Sequence, residues 1–468
     1  MNSNSLNGNR KDKVNSQMAN SIRKQDGKQV QSLIDQRADI HANLIIHETF
    51  PWRNGALEIK LSIIFLAIKE GAQNILDILI QNGANIQEIH EKVGSTLHYA
   101  VKHGKHEIVK NLVEKGVDVN IKDSQHQTPL LIAVQNDDGS MVKQLLDLGA
   151  KINGPGYNEA IFAAIELKSS EILKILVKNG ADVNYKDEIN ESTPLHIAVS
   201  DHKYEMANIL VEAGANVNAR NEESVTPLAQ IFDEDVWKLK NSSEITKRLE
   251  TDMKIAKLLI DNNAEIDAKN IFDETPLHEA CRYNYVEIAK LLIQKGANVS
   301  SRNDRGESPL LKTILWGHAK IVELLLQNGA DIDATDDENR TPLNLSVCFK
   351  KQEIVKILVD HGADLTIKDH KTYLTPLEIA KKRNLVEIIE IILEKMIELK
   401  EAKKPKAKRI KFELEDCVIC KRIRNEIFVF TPCAHAKTCE TCSMKILNRR
   451  SACLICRKVV TSYMKAYF

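Results

Sequence analysis

Aromatic residues are scarce in this chain: Phe, Trp and Tyr make up 5% of its 468 residues, while aliphatic residues are plentiful. A sandwich of β-sheets fits that balance poorly and a mainly helical protein fits it well. An excess of either charge is also missing. Lys and Arg total 65, as do Asp and Glu, so the formal net charge is zero. A protein that grips nucleic acid over its whole surface needs a positive excess, so only a local basic patch remains open to that role. Long hydrophobic runs are absent too. The longest uncharged apolar stretch, LSIIFLAI at 61–68, is far too short to span a bilayer. The first residues, MNSNSLNGNRKDK, hold no apolar leader segment, so the expectation is a soluble protein of the cytoplasm or nucleus with no membrane partner. Cysteine is nearly confined to one place: of nine, seven lie between Cys417 and Cys456. In a reducing compartment that clustering points to metal rather than disulfides.

What the chain does have is repetition. QNGANIQ at 81–87 and EKGVDVN at 114–120 are followed by KNGADVN, EAGANVN, QKGANVS, QNGADID and DHGADLT. The glycines of this phrase, or the Asn replacing one, fall at 83, 116, 149, 180, 214, 263, 296, 329 and 362. Their spacing is 33 residues or close to it, except for one interval of 49 that implies an insertion near 231–250. A second phrase keeps step with the first: TPLLIAV, TPLHIAV, TPLAQIF, TPLHEAC, SPLLKTI, TPLNLSV and TPLEIAK. Its Thr or Ser can cap a helix start, its Pro fits the first helical position, and its Leu and Ala share a buried face. A second helix carries the stripe seen in HEIVKNLVEKG, and its final Gly accepts the left-handed backbone that ends it.

A 33-residue period built on TPLHIA and GADVN resembles the ankyrin repeat. The resemblance covers residues 22–398 in about ten units, the outer ones degenerate, with residues 1–21 expected to be disordered. The unit at 157–166 has lost its TPL phrase, and the stretch HETFPWRNGALE at 47–58 is irregular. The resemblance implies a solenoid of helix–turn–helix units with short hairpins, whose concave face binds a protein substrate. His98, His196 and His278 occupy one repeated slot and are expected to hold backbone groups between units. Cys281 and Cys348 sit in the apolar helical pattern as small core residues.

Beyond the array, the basic stretch 399–412 reads either as a solvated tether or as an import signal or nucleic-acid patch. Then comes CVIC at 417–420, followed by Cys433, His435, Cys439, Cys442 and CLIC at 453–456. Eight donors suffice for two closed four-coordinate zinc sites, with no open position for a reactive water. The order of three Cys, one His and four Cys resembles the RING finger, a small α+β cross-braced module. PHD and treble-clef fingers are the alternatives; the Trp usual near the last pair of a PHD finger is missing. The RING resemblance implies that Cys417, Cys420, Cys439 and Cys442 hold one structural zinc and that Cys433, His435, Cys453 and Cys456 hold the other. It also implies a ubiquitin ligase. Ile419 and Arg457 would contact the ubiquitin-conjugating enzyme, or else serve as a buried aliphatic and an exposed charge. Leu454 and Ala434 depart from the proline and glycine usual at those positions. The tail of the 413–468 segment resembles RINGs that form homodimers, in which Tyr467 and Phe468 would touch ubiquitin; the plainer reading is local packing. The rival to a ligase is a non-catalytic ankyrin scaffold with a structural zinc module. The combination of ankyrin repeats followed by a RING is similar to the mind bomb family.

Overall fold

The protein is described here by a computed structural model covering residues 3–49, 56–154, 156–233, 235–239, 241–402, 427–431, 435–438 and 462–466. It divides into a unit of residues 1–395 and a unit of residues 396–468.

The first unit is a stack of short antiparallel helix pairs, running from Ser3–Arg23 with Gly27–Asp35 to Pro376–Lys382 with Val386–Ala402, the last of which continues past the unit's end at 395. Local chemistry sets each boundary. The Thr128, Ser308 and Thr341 hydroxyls accept from backbone amides three residues on, and proline follows each in the first turn. Past the second helix the backbone must turn left-handed, as at Gly296 with φ 95°; Asn263 takes the same conformation at φ 66°. Hairpin tips close on an acidic or amide side chain, as where Asp123 Oδ1 accepts from the amides of Gln125 and Gln127 at 2.9 Å.

Two ladders join successive units. Asn120 Oδ1 accepts from the Lys151 amide at 2.6 Å, Asn153 from Asp182 at 2.8 Å and Asn184 from Asn216 at 2.7 Å. The Asn closing each GADVN phrase is therefore the rung to the next unit. The second ladder is made by the histidines. His98, His196 and His278 each bond Nδ1 to their own capping Ser95, Thr193 or Thr275 hydroxyl. Their Nε2 atoms reach the carbonyls of Gln127, Val225 and Glu307, 29 residues on, at 2.9–3.1 Å. Burial pushes the pKa of His278 down to about 4, so the ring is neutral at pH 7. A depressed pKa means that the unfolded chain binds the proton first. Stability is complete above about 6.5 and is lost as pH falls toward 4, with about 3 kcal/mol expected from His278 alone. The urea midpoint of the array is therefore expected to drop across that window. A midpoint that stayed flat, or one that fell equally in His278→Ala, would exclude the histidine as the cause.

Two expectations are corrected. Residues 1–21 are not structureless: Ser3–Arg23 is helical, and Met18, Ala19 and Ile22 are buried. The 47–58 stretch departs from the repeat as expected, its ends lying in the antiparallel strands Asn43–Thr49 and Ala56–Ser62, with Trp52 outside the described residues. The basic tether does not start at 399, because the last helix runs through Ala402, three residues short of Pro405. Cys281 is buried as expected, whereas Cys348 is half-buried. The insertion forms two 3-10 turns, Ala229–Ile231 and Asp235–Lys238, and lengthens the next helix to Ser242–Asp261. Among the described residues no helix is long and apolar enough to cross a membrane.

Candidate functional site

In the second unit, strand Ile427–Thr431 pairs antiparallel with His435–Thr438 on one edge and with Ser462–Ala466 on the other. His435 opens its strand opposite Phe430. The donor set fits zinc by its chemistry, since thiolates and imidazole suit zinc and oxygen-seeking metals are excluded. Cys417, Cys420, Cys433, Cys439, Cys442, Cys453 and Cys456 lie outside the described residues, as do Ile419, Arg457, Tyr467 and Phe468. The tail strand pairs with its own chain, with Tyr463 opposite Phe430.

In the array, the clearest surface feature is a groove of about 430 Å³ running between hairpin tips and first helices. Phe272 comes from one tip and Arg305 from the next, while Arg282, Trp316 and Phe349 end three successive first helices. Trp316 and Phe349 are each 48% exposed and Phe272 is 49% exposed. Large aromatics ordinarily bury, so three open ones along one groove mark a contact surface. The Arg282 guanidinium lies over Tyr283 at 4.9 Å and Trp316 at 5.5 Å, which holds it in the groove. Beneath them the Lys312 ammonium contacts Glu274 and reaches Glu307 at 3.9 Å. Burial, and then the adjacent Glu274 carboxylate, pushes Glu279 up to about 8. The Glu274–Glu279 pair beside the groove thus keeps one proton near neutral pH.

Two further clusters fasten departures from the repeat. Glu48 of the hairpin is almost fully buried; Lys69 reaches it at 2.7 Å, Lys102 and His103 at 3.5 Å, and Tyr99 donates to it. Burial opposes its charge, but hydrogen bonds from His103, Lys69 and Tyr99 outweigh that and hold its carboxyl well below the usual range. At the insertion, His202 Nδ1 lies 2.6 Å from Asp252 and Nε2 lies 3.1 Å from Asp233. Arg248 bridges the same two carboxylates at 3.2 and 2.8 Å. Burial works against the imidazolium, yet the two carboxylates push its pKa up. Its contribution to stability is therefore complete below the unfolded pKa of about 6.5 and fades as pH rises through the folded value. Asp252 is 0% exposed, so Asp252→Asn leaves two half-buried cations with one carboxylate between them. A loss of about 3 kcal/mol in denaturant stability is expected, and a loss under about 1 kcal/mol would deny the network its fastening role.

The insertion also builds a groove of about 990 Å³ against helix Val286–Gln294, lined by Leu249, Met253 and Leu291 and flanked by Trp237. Trp237 Nε1 donates to the Tyr283 carbonyl at 2.7 Å. Sequence reasoning missed the aromatic groove, although one signal was readable: Trp316 stands directly before Gly317, at the end of a first helix, where repeat chemistry asks for nothing large. It gave no sign of the charge clusters, whose members lie up to 55 residues apart.

The family model described as ankyrin repeats (3 copies) matches residues 22–123, 64–155, 130–221, 247–336 and 333–403. The model described as zinc finger, C3HC4 type (RING finger) matches residues 413–463. No match was found among curated proteins.

Proposed function

The chain belongs to the ankyrin-repeat family and carries a C3HC4 RING finger toward its carboxy end, and on that premise we propose that it is a RING-type ubiquitin ligase of the cytoplasm or nucleus. The observation that carries the reading is the union, in one chain, of an array with an open aromatic groove and a zinc module of eight donors. Such a module has no nucleophile, and no covalent intermediate forms on this chain. Its contribution is orientation: it holds a ubiquitin-charged conjugating enzyme in the posture from which a lysine attacks the thioester. Ile419 and Arg457 are assigned the contact with that enzyme, and Tyr467 and Phe468 a contact with ubiquitin.

Two zinc ions would be held by Cys417, Cys420, Cys439 and Cys442, and by Cys433, His435, Cys453 and Cys456. When bound, zinc supplies cross-links that fold a segment too short to bury a sufficient core. The array supplies the substrate. Holding a protein along the groove at Phe272, Trp316 and Phe349 raises the effective concentration of its lysines near the charged enzyme.

The test is self-ubiquitination of the purified full chain across a panel of conjugating enzymes. Wild type is expected to build chains, and Ile419→Ala to slow them by about tenfold or more. Leu454 in place of proline favours the second reading, a non-catalytic scaffold. Absence of chains from wild type with every enzyme would establish that reading instead.

A further inference from the structure

The outermost helix of a repeat stack ordinarily turns a polar face to water, because no further unit covers it. Helix Val386–Ala402 does not. Ile388 and Ile392 bury its inner side. Away from them, Val386, Leu393 and Ile397 are 58%, 38% and 56% exposed, and Ile389 and Met396 are half-buried beside them. At 3.6 residues per turn these five side chains fall within an arc of about 100°, a continuous stripe about 16 Å long from 386 to 397.

One flank of that stripe is uniformly acidic. Glu387, Glu390, Glu394 and Glu398 recur at intervals of three and four, forming a ridge parallel to the apolar residues. Glu387, Glu390 and Glu394 are exposed. Glu387 stands in the first turn, where the helix dipole favours an anion, but Glu390 and Glu394 lie beyond it, and like charges at that spacing destabilise a helix rather than support it. The other edge of the stripe is Met396, beside Ile392 and Leu399, and holds no acid, while Lys400 stands in line with the stripe one turn past it.

We propose that this face docks a basic amphipathic helix of a partner protein, one whose apolar side chains fill the stripe while its Lys or Arg residues lie along the ridge. A second copy of the chain fits less well. Paired antiparallel, two such helices would set one acidic ridge against the other. Paired parallel, each ridge would meet the Met396 edge, which holds no cation. A basic helix satisfies both features together, and its docking would relieve the repulsion along the ridge. This surface is separate from the aromatic groove and stands independently of the ligase reading.

The test uses the zinc-loaded full chain and a fluorescent helical peptide of leucine and lysine about 15 residues long, with leucines at intervals of three and four. Its controls are a scrambled peptide of the same composition and a leucine–glutamate version. Fluorescence anisotropy should show the leucine–lysine helix binding wild type about tenfold tighter than the scrambled peptide does. Leu393→Asp with Ile397→Asp, both at exposed positions, should lower that affinity by about tenfold while circular dichroism stays helical. Glu387→Lys with Glu390→Lys and Glu394→Lys should transfer the preference to the leucine–glutamate helix. Equal binding of helical and scrambled peptides would overturn the proposal. So would a wild-type dimer in sedimentation that Leu393→Asp dissolves, since a second copy would then own the face. Binding that appears only after Lys403, Lys404, Lys406, Lys408 and Lys411 are changed to Gln would overturn it too, by assigning the face to the chain's own basic stretch.

Discussion

Cys456→Ser abolishes ubiquitin-chain formation and leaves residues 413–468 unfolded while the helical array melts as in wild type. That is the expected result of the largest single change the chain can undergo. A structural zinc contributes on the order of 10 kcal/mol to folding a small module, more than the total stability of many domains. A Cys-to-Ser change at one of four ligands forfeits most of that, because the serine hydroxyl does not ionise at neutral pH to replace the thiolate. In the described part of the second unit, three short strands pair with one another, and pairing of that extent does not sustain a fold by itself. The array is independent of the metal: among its described residues no group of histidines, cysteines and carboxylates could hold one. Elemental analysis should find two zinc ions per wild-type chain and about one or none in the variant, with chain formation below about 1% of wild type. Two bound ions and undiminished transfer in Cys456→Ser would remove this cysteine from the ligand set and the zinc fold from the mechanism. Chelation of wild type should reproduce the loss, and added zinc should restore it.

Trp316→Asp with Phe349→Asp is expected to reduce substrate capture by about a thousandfold while leaving self-ubiquitination intact. Buried aromatic anchors at protein interfaces are each worth about 2 kcal/mol or more, and two of them make up that factor. Both side chains are about half exposed, so their replacement opens no cavity in the core and the array should keep its denaturant midpoint. Charge placed there also meets the buried carboxylates Glu274 and Glu307, which already share Lys312, so the variant repels an occupant as well as failing to hold it. The measurement is quantitative capture of cellular proteins on wild-type and variant chains, both carrying Cys456→Ser to stop turnover. An unchanged capture profile would exclude the groove as the substrate surface. Were the profile to change only when Leu249 and Met253 are replaced, the role would pass to the insertion groove.

These two experiments touch parts of the protein that were unequally legible. The array's period, its caps and its turns follow from residues within one unit, and the same residues return every 33 positions, so a single chain displays them many times over. The histidines could be assigned a structural role because each recurred alone in one slot; the ring contacts at Gln127, Val225 and Glu307 agree. The amino terminus was misjudged for the opposite reason. Among its residues of described burial the apolar ones that bury are Met18, Ala19 and Ile22, too short a pattern to rise above a polar background, and it is held by packing on the next unit rather than by propensity.

What the sequence determined by itself is whatever local chemistry and repetition specify: helix ends, loop turns, the interval at which units stack, the insertion, and an ordered set of seven cysteines and one histidine. Tertiary structure alone decided which side chains meet across units. Glu48 became a buried anion ringed by cations, His202 was set between Asp233 and Asp252, and three aromatics from separate units lined one groove. The reason is distance along the chain. Packing and electrostatics act between atoms a few ångströms apart, and a linear sequence does not record which of its distant residues folding brings within that reach.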